Sequence, residues 1–188
     1  MFSTRLWLRP LALRDAQVVA EYRSDPAVAR YQSWSTPFTA QDAELLIRES
    51  VTPDRRTPGW TQYAVELISG GALIGDLGVN LQPNRMQADI GFTIAAGYQR
   101  QGYGSEAVRR TLEHLFTEQG LHRVSAECDA RNLGSAALLN RVGFRREGCR
   151  RAHTWLKGEW TDDLVFGLLA SEWAGAAGGR RHRRSFTV

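Results

Sequence analysis

The chain has 188 residues, of which 43% are hydrophobic and 23% charged, as expected for one compact domain with a core of its own. Its formal charge of +4 comes from four arginines near the C-terminus, Arg180, Arg181, Arg183 and Arg184, because the 24 basic residues less these four leave 20, which balance the 20 acids. Without the tail the domain is formally neutral, so its composition does not indicate a broad basic face that would bind nucleic acid or lipid. We expect a single domain over residues 1–174 and a disordered tail, rich in Gly and Arg, over residues 175–188.

The first half of the chain has the pattern of one strand, two helices and three strands. Apolar spacing predicts a strand near Leu6 and Leu8, then helices over residues 13–24 and 39–50. Pro26 ends the first helix, because the residue before a proline is biased away from the helical region. Three strand-like runs follow, over residues 61–68, 72–80 and 86–95, and the Gly pair after Ser69 suits a hairpin turn in an antiparallel meander.

The second half returns to alternating helices and strands. Helical spacing over residues 104–119 ends at Gly120, and a second helix over residues 132–142 ends at Gly143. Strand patterns cover residues 123–129, 144–153 and 160–169. The predicted order is βααβββαβαββ.

Neither targeting nor metal-binding patterns are evident. No run of about 18 apolar residues could form a membrane span, and the N-terminal residues do not suit a signal peptide. Cys128 and Cys149 lack metal-type spacing to each other, which indicates reduced thiols in a reducing compartment. We expect a cytoplasmic protein that holds no metal and is not attached to a membrane.

A glycine-containing loop before the helix at residue 104 indicates a phosphate site. Gly102 and Gly104 let the backbone approach a ligand, and the N–H groups of a first helical turn attract an anion. Gly102, Gly104 and Ala107 also satisfy the dinucleotide pattern G-x-G-x-x-G/A, but here the pattern follows an antiparallel meander rather than the first strand of a βαβ unit. A purely structural corner would leave four polar neighbours unexplained: Gln99, Arg100, Gln101 and Ser105.

At these residues the chain resembles the GCN5-related N-acetyltransferases, whose pyrophosphate loop reads Q/R-x-x-G-x-G/A. Gln99-Arg100-Gln101-Gly102-Tyr103-Gly104 matches that loop, and residues 132–144 are similar to the family's Asn helix and its Gly-Phe corner. Further segments resemble the subgroup that acetylates N-terminal amines of ribosomal proteins: residues 5–11, 73–75, 89–92, 147–148, 160–163 and 172–173. The resemblance covers residues 3–173 in order.

The resemblance implies an α/β (α+β) fold with a mixed, mostly antiparallel sheet of about seven strands and about four flanking helices. The sheet would be splayed between the strand that ends near Ile94 and the strand over residues 123–129, and acetyl-CoA, the acetyl donor, would lie in the splay. Residues expected to pair their backbone with the pantetheine arm are Phe92, Thr93 and Ile94. Residues expected to wrap the pyrophosphate are Gln99, Arg100, Gln101, Gly102, Tyr103, Gly104 and Ser105. Asn132 would bond the arm, with Asn140 and Arg141 near its nucleotide end or its thiol.

The implied reaction is direct attack of an amine on the thioester, with a backbone N–H near Ile94 polarising the carbonyl. Asp89 stands where the subgroup has Glu and is the candidate base; the alternative is a solvated carboxylate at a strand edge. Asp76 is a second candidate, with a structural role as its alternative. Ser135 is the candidate acid, although its hydroxyl could instead cap the helix, and the family's common Tyr is replaced by Leu139.

Acceptor recognition is assigned to Tyr31 and Trp34, with Asp76 as a third candidate; the alternative for both aromatic residues is packing of a lid. We expect the acceptor to be a protein N-terminal α-amine. Two other functions stay open: acetylation of a small amine such as an aminoglycoside, polyamine or amino acid, and a non-catalytic acetyl-CoA sensor. The tail could contact the ribosome or RNA, and the chain could be a monomer or a homodimer.

Overall fold

The structure is a computed structural model that describes residues 1–50 and 57–173. The prediction of a disordered tail over residues 175–188 lies outside these ranges. Within them, no helix is both long and apolar enough to cross a membrane.

The described residues form a seven-stranded sheet in the order β1-β2-β3-β4-β5-β7-β6. The strands are β1 (Leu6–Pro10), β2 (Gly59–Leu67), β3 (Leu73–Leu81), β4 (Gln87–Ile94), β5 (Arg123–Asp129), β6 (Arg145–Leu156) and β7 (Glu159–Leu169). Neighbouring strands are antiparallel except for β4 and β5, which run parallel. The predicted mixed, mostly antiparallel sheet is confirmed.

The described helices are α1 (Ala16–Ser24), α2 (Pro26–Ala29), α3 (Ala40–Glu49), α4 (Tyr103–Glu113) and α5 (Leu133–Val142). Helix α4 continues directly into a π-helical turn over His114–Glu118. The predicted helix over residues 104–119 is therefore one continuous helix whose last turn is wider than an α-helical turn. Helix α2 was not predicted. Asp25 and Pro26 both end α1 and begin α2, because the Asp25 carboxylate accepts from Ala27 N–H at 2.8 Å and proline suits a first helical position.

Helices cover both faces of the sheet. Helices α4 and α5 pack their apolar sides, including Val108 and Leu139, against strand residues such as Ile90, Val124 and Phe166 to form the larger core. On the opposite face, a smaller cluster joins Val19 of α1 and Ala43 of α3 to β2. The site described next lies where the larger core meets the β4–β5 junction.

Candidate functional site

The sheet opens between β4 and β5. The two strands pair only over residues 87–90 of β4 and 123–126 of β5. Beyond that point β4 runs on to Ile94 and β5 to Asp129 without further pairing between them. The predicted splay is confirmed, and it leaves one edge of β4 available to an extended ligand.

The β3–β4 register determines which backbone groups of β4 line this opening. Ala95 N–H donates to Ile74 oxygen at 2.9 Å, and hydrogen-bonded pairs alternate along an antiparallel ladder. Thr93 therefore turns its N–H and C=O towards β3, while Phe92 and Ile94 turn theirs away from β3 into the splay. Backbone pairing with a ligand, expected for all three residues, is thus open to Phe92 and Ile94, and the expectation for the Thr93 backbone is wrong.

A cleft of about 530 Å³ occupies the splay and extends to the N-termini of α4 and α5. Most residues predicted to bind the donor line it: Phe92, Thr93, Ile94, Gln99, Arg100, Gly102, Gly104, Ser105, Asn132 and Arg141. Ser135 and Tyr31 line it as well. Residues far apart in the sequence are therefore brought to one groove.

The loop before α4 has the backbone conformation of an anion site. Arg100 has a φ of +59°, and Gly102, the N-cap residue of α4, has a φ of +85°. No side chain caps this helix end, and the first N–H groups of a helix have no partner within it. Together with the positive end of the helix dipole, these groups would attract a phosphate.

Helices α4 and α5 contact each other beside the cleft. A Cβ placed on Gly104 would lie 2.8 Å from Leu138 Cδ1, so the end of the Leu138 side chain would have to move to admit a larger residue there. The charged side chains among the described lining residues are those of Arg100 and Arg141. A long groove with free strand edges, a helix N-terminus and two arginines suits an elongated anionic ligand, and acetyl-CoA has that chemistry.

At the start of α5, Asn132 caps the helix and Ser135 presents its hydroxyl to the cleft. Asn132 Oδ1 accepts from Ser135 N–H at 3.1 Å and caps the helix. Among the described residues, Ser135 Oγ has no hydrogen-bond partner, although it lines the cleft. The capping role considered for Ser135 is therefore filled by Asn132.

Several predicted donor residues lie outside the lining. Gln101 and Tyr103 flank Gly102 in the loop but are not among the lining residues, and Asn140 lies on the exposed side of α5. Gln99 lines the cleft, but its Nε2 donates to the Ile94 oxygen at 2.9 Å, just as Gln101 Nε2 donates to the Gly97 oxygen at 2.9 Å. Both glutamines thus brace the loop from within.

Asp89 lies in the paired part of β4, next to the point of separation. It faces Ser125 of β5, and its carboxylate accepts from Gln82 Nε2 and, at 3.4 Å, from Asn80 Nδ2. At a rise of about 3.3 Å per strand residue, its Cα is about 10 Å from that of Phe92 and about 16 Å from that of Ile94. Asp89 is not among the residues that line the cleft, so a base at Asp89 would act through water.

Asp76 and Trp34 belong to a buried structural cluster. Asp76, only 3% exposed, pairs with Arg23 at 2.7 Å and accepts from Tyr22 Oη at 2.5 Å. The Arg23 guanidinium lies 4.2 Å from the Trp34 ring, and Trp34 Nε1 donates to the Arg23 oxygen. Neither Asp76 nor Trp34 is among the lining residues. This arrangement favours the structural alternatives for both, whereas Tyr31 does line the cleft.

Sequence reasoning missed the side of the cleft formed by α2. Ala27 and Val28 of α2 line the cleft, next to Tyr31 and Gln32, which follow the helix. The available signal was Asp25-Pro26, which has the residue types of an N-cap and a first helical position. Because that pair was interpreted only as a stop, the short helix and its contribution to the cleft were not anticipated.

The described residues offer neither a reactive thiol in the core nor a metal cluster. Burial, with Asp129 and Asp163 nearby, raises the pKa of Cys128 to about 11, which keeps its thiol protonated at neutral pH. No group of three or more His, Cys, Asp or Glu within residues 1–50 and 57–173 is arranged to hold a metal ion.

Comparison with known proteins supports the same interpretation. The uncharacterized N-acetyltransferase p20 of Bacillus licheniformis is 31% identical over 180 residues, covering 93% of this chain and 98% of p20. YdaF of Bacillus subtilis, provisionally designated a ribosomal N-acetyltransferase, is 31% identical over 92% of this chain and 96% of its own length. A solved GNAT-family acetyltransferase from Bacillus anthracis superposes with a TM-score of 0.82 at 27% identity and covers 91% of this chain and 98% of that one.

The family described as "Acetyltransferase (GNAT) domain" matches residues 5–145. This match confirms the resemblance that the pyrophosphate loop and the Asn helix indicate in the sequence, and the splayed sheet agrees with it. The chain belongs to the GNAT family of acetyl-CoA-dependent N-acetyltransferases.

Proposed function

We propose that this acetyltransferase acts on the N-terminal α-amine of a protein, in the cytoplasm. The observation that carries the proposal is an uncharged part of the cleft lining, which Ala27, Val28, Tyr31 and Gln32 form. A small uncharged N-terminal residue could be buried there without leaving a charge unpaired. A polyamine or an aminoglycoside brings several ammonium groups, and the described lining residues include no carboxylate to receive them. The ribosomal designation of YdaF supports the same class of acceptor.

The donor would lie along β4 with its pyrophosphate at the start of α4. The N–H groups that follow Gly102, with the Arg100 side chain, would hold the phosphates. Phe92 would pair its backbone and Ile94 its N–H with the pantetheine arm, because the Ile94 oxygen already accepts from Gln99, and Asn132 would bond the arm from α5. Acetyl-CoA supplies the acetyl thioester, which this orientation directs towards the point where β4 and β5 separate.

The protein's own groups would then assist attack of the amine. Of the two N–H groups that enter the splay, that of Phe92 is the deeper one, so we assign polarisation of the thioester carbonyl to Phe92 rather than to Ile94. Asp89 would accept the amine proton through water, and the Ser135 hydroxyl would pass a proton from water to the departing thiolate, so that the serine itself stays protonated.

The demand on the base fits this arrangement. An α-amine with a pKa of about 7.7 to 8.0 costs about 1 kcal/mol to deprotonate at pH 7, whereas a lysine amine costs about 4.6 kcal/mol. A carboxylate that acts through water is a modest base, and an α-amine asks little of it. The acceptor class and the position of Asp89 are thus mutually consistent.

Thiol release from acetyl-CoA, measured across a panel of acceptors, tests the proposal. Peptides with a free N-terminal Ala or Ser should be acetylated with the highest kcat/KM, while the same peptides with a blocked N-terminus and no lysine should be inert. Preference for spermidine or an aminoglycoside would overturn the acceptor class. Thermal stabilisation by acetyl-CoA without thiol release from any acceptor would show a sensor instead.

In the same assay, Asp89→Asn should reduce kcat most at low pH, where the amine is mostly protonated. A loss of kcat that does not depend on pH would exclude Asp89 as the base.

A further inference from the structure

Arg5, which directly precedes β1, lies against the loop that opens α4. Its Nη1 donates to the Gln101 oxygen at 3.2 Å, and its guanidinium carbon lies 4.3 Å from the centroid of the Tyr103 ring. A Cβ placed on Gly102 would lie 3.4 Å from Arg5 Nη2. A single side chain from the N-terminal segment thus meets three consecutive residues of the loop.

The same arginine is anchored on the first turn of α4. Its Nε donates to Glu106 Oε2 at 2.7 Å, and its backbone N–H donates to Glu106 Oε1 at 2.8 Å. Ser3 Oγ also donates to Glu106 Oε1, at 2.8 Å. Burial opposes ionisation of Glu106, but these hydrogen bonds outweigh it and lower the pKa of its carboxyl. The guanidinium is therefore held in place while it contacts the loop.

The loop needs such support because of its backbone. Arg100 is a non-glycine residue with a φ of +59°, and residues in this sparsely populated region persist only where their surroundings maintain them. Gly102 begins α4 without a side-chain cap. The internal bonds of Gln99 and Gln101 brace the carbonyls of Ile94 and Gly97, and Arg5 supplies a contact from outside the loop.

Charge gives Arg5 a second effect. Glu106 lies in the first turn of α4, where the proposed pyrophosphate would bind, and an uncompensated carboxylate there would repel phosphate. The ion pair with Arg5 neutralises that carboxylate locally. Loop geometry and local charge therefore depend on one side chain that does not itself line the cleft.

We propose that Arg5 is a positioning residue that holds the loop over residues 100–103 in the conformation that binds the donor pyrophosphate. This inference rests on the donor placement given under the proposed function. It assigns a role in donor binding to the N-terminal segment, which is nearly one hundred residues from the loop in sequence.

Calorimetric titration with two ligands tests the role without any acceptor. The ligands are acetyl-CoA and S-acetylpantetheine, which carries the same thioester arm but no phosphate. Arg5→Ala should weaken binding of acetyl-CoA about tenfold, the effect of losing a charge-assisted contact, and should leave binding of S-acetylpantetheine within about twofold. Arg5→Lys keeps the charge but not the fork geometry, so it should bind acetyl-CoA more weakly than the unchanged chain does.

Arg110→Ala is the matched control. Arg110 also ties the N-terminal segment to α4, because its Nε donates to the Phe2 oxygen at 2.9 Å, but it lies at the other end of the helix. It should leave the affinity for acetyl-CoA within about twofold of the unchanged chain, with melting temperatures recorded for every variant. The Arg5 proposal is overturned if Arg5→Ala weakens the binding of both ligands equally, or if Arg110→Ala weakens the binding of acetyl-CoA as much as Arg5→Ala does. It is also overturned if Arg5→Lys binds acetyl-CoA as tightly as the unchanged chain. An unchanged chain that binds both ligands equally well would overturn the donor placement itself.

Discussion

At the scale of single residues, the start of α5 shows how two polar side chains divide their work. Asn132 completes the helix by capping Ser135 N–H, a contact that is typically worth about 1 kcal/mol. Ser135 Oγ has no partner among the described residues, yet it lines the cleft. Stability and chemistry at this helix end therefore depend on different residues, and substitution can separate them.

Ser135→Ala should reduce kcat by up to about tenfold, or about 1.4 kcal/mol, because water must then protonate the thiolate. Its free energy of unfolding should change by less than about 0.5 kcal/mol, since the hydroxyl holds no structural bond. Steady-state kinetics and urea unfolding measure the two effects. Asn132→Ala is the matched comparison and should lose about 1 kcal/mol of stability. An unchanged kcat in Ser135→Ala would move the acid elsewhere.

Residue identity alone could not separate a buried partner from a ligand-binding group. Asp76 and Trp34 have residue types that suit an acceptor site, and only the structure shows Asp76 paired with Arg23, whose guanidinium lies over Trp34. These contacts join β3 to α1 and to the segment that follows α2. A carboxylate and an arginine 53 positions apart in the sequence carry no local signal that they will meet.

At the scale of secondary-structure elements, the open edge of β4, where we propose that the donor binds, depends on how closely β3 approaches β4 from the other side. A Cβ placed on Gly75 would lie 2.1 Å from the Thr93 oxygen and 3.1 Å from Ile94 Cα. Both neighbours are backbone atoms, so they cannot move aside as the end of a flexible side chain could. Gly75 therefore permits the register that turns Phe92 and Ile94 into the splay.

Gly75→Ala should lower the free energy of unfolding by about 1 to 3 kcal/mol, as overpacking does, and should weaken acetyl-CoA binding by displacing β4. Gly91→Ala is the matched control on β4, because a Cβ there would meet no atom within 4 Å, and its stability should change by less than about 0.5 kcal/mol. Urea unfolding of both variants makes the comparison. Equal stability of the two variants would contradict the role given to Gly75.

At the scale of the whole molecule, ion pairs make stability depend on pH in a definite direction. Hydrogen bonds from Arg110 and His114 lower the pKa of Glu118 to about 2, and the Arg131 side chain lowers that of Asp129. The pKa of Glu106 is lowered as well. A carboxyl whose folded pKa is depressed stabilises the fold above its unfolded pKa, and that stabilisation is lost as the pH falls through the folded value. Cys128 makes stability depend on pH on the alkaline side, because burial raises the pKa of its thiol from 9.0 to about 11.

The free energy of unfolding should therefore fall as the pH drops below about 4.5, and fall again above about pH 9. Urea titrations between pH 3 and pH 10 would measure this profile. Glu118→Gln should lose less stability on the acid side than the unchanged chain does, and Cys128→Ala should flatten the alkaline side. A stability that rises on acidification would contradict the assignment of these carboxyls.

Much of the fold could be predicted because its signals are local. Period-two and helical spacing identified the strands and the longer helices, because these signals depend on neighbours within a few residues. The glycine and polar residues at positions 99–105 likewise marked the loop before α4 that we propose binds the pyrophosphate. The short helix α2 was missed because Asp25-Pro26 has the same residue types at a helix end and at a helix start.

The net charge of +4 likewise belongs to the sequence, and counting the charges by segment placed the excess in the tail without any coordinates. Contacts between distant segments were beyond the reach of such patterns. The β3–β4 register, the pairing of Asp76 with Arg23, the free hydroxyl of Ser135 and the contact of Arg5 with a loop about one hundred residues away all arise when separate elements pack. Local propensities specify each element, but these contacts depend on the relative placement of elements, and only the packed chain defines that.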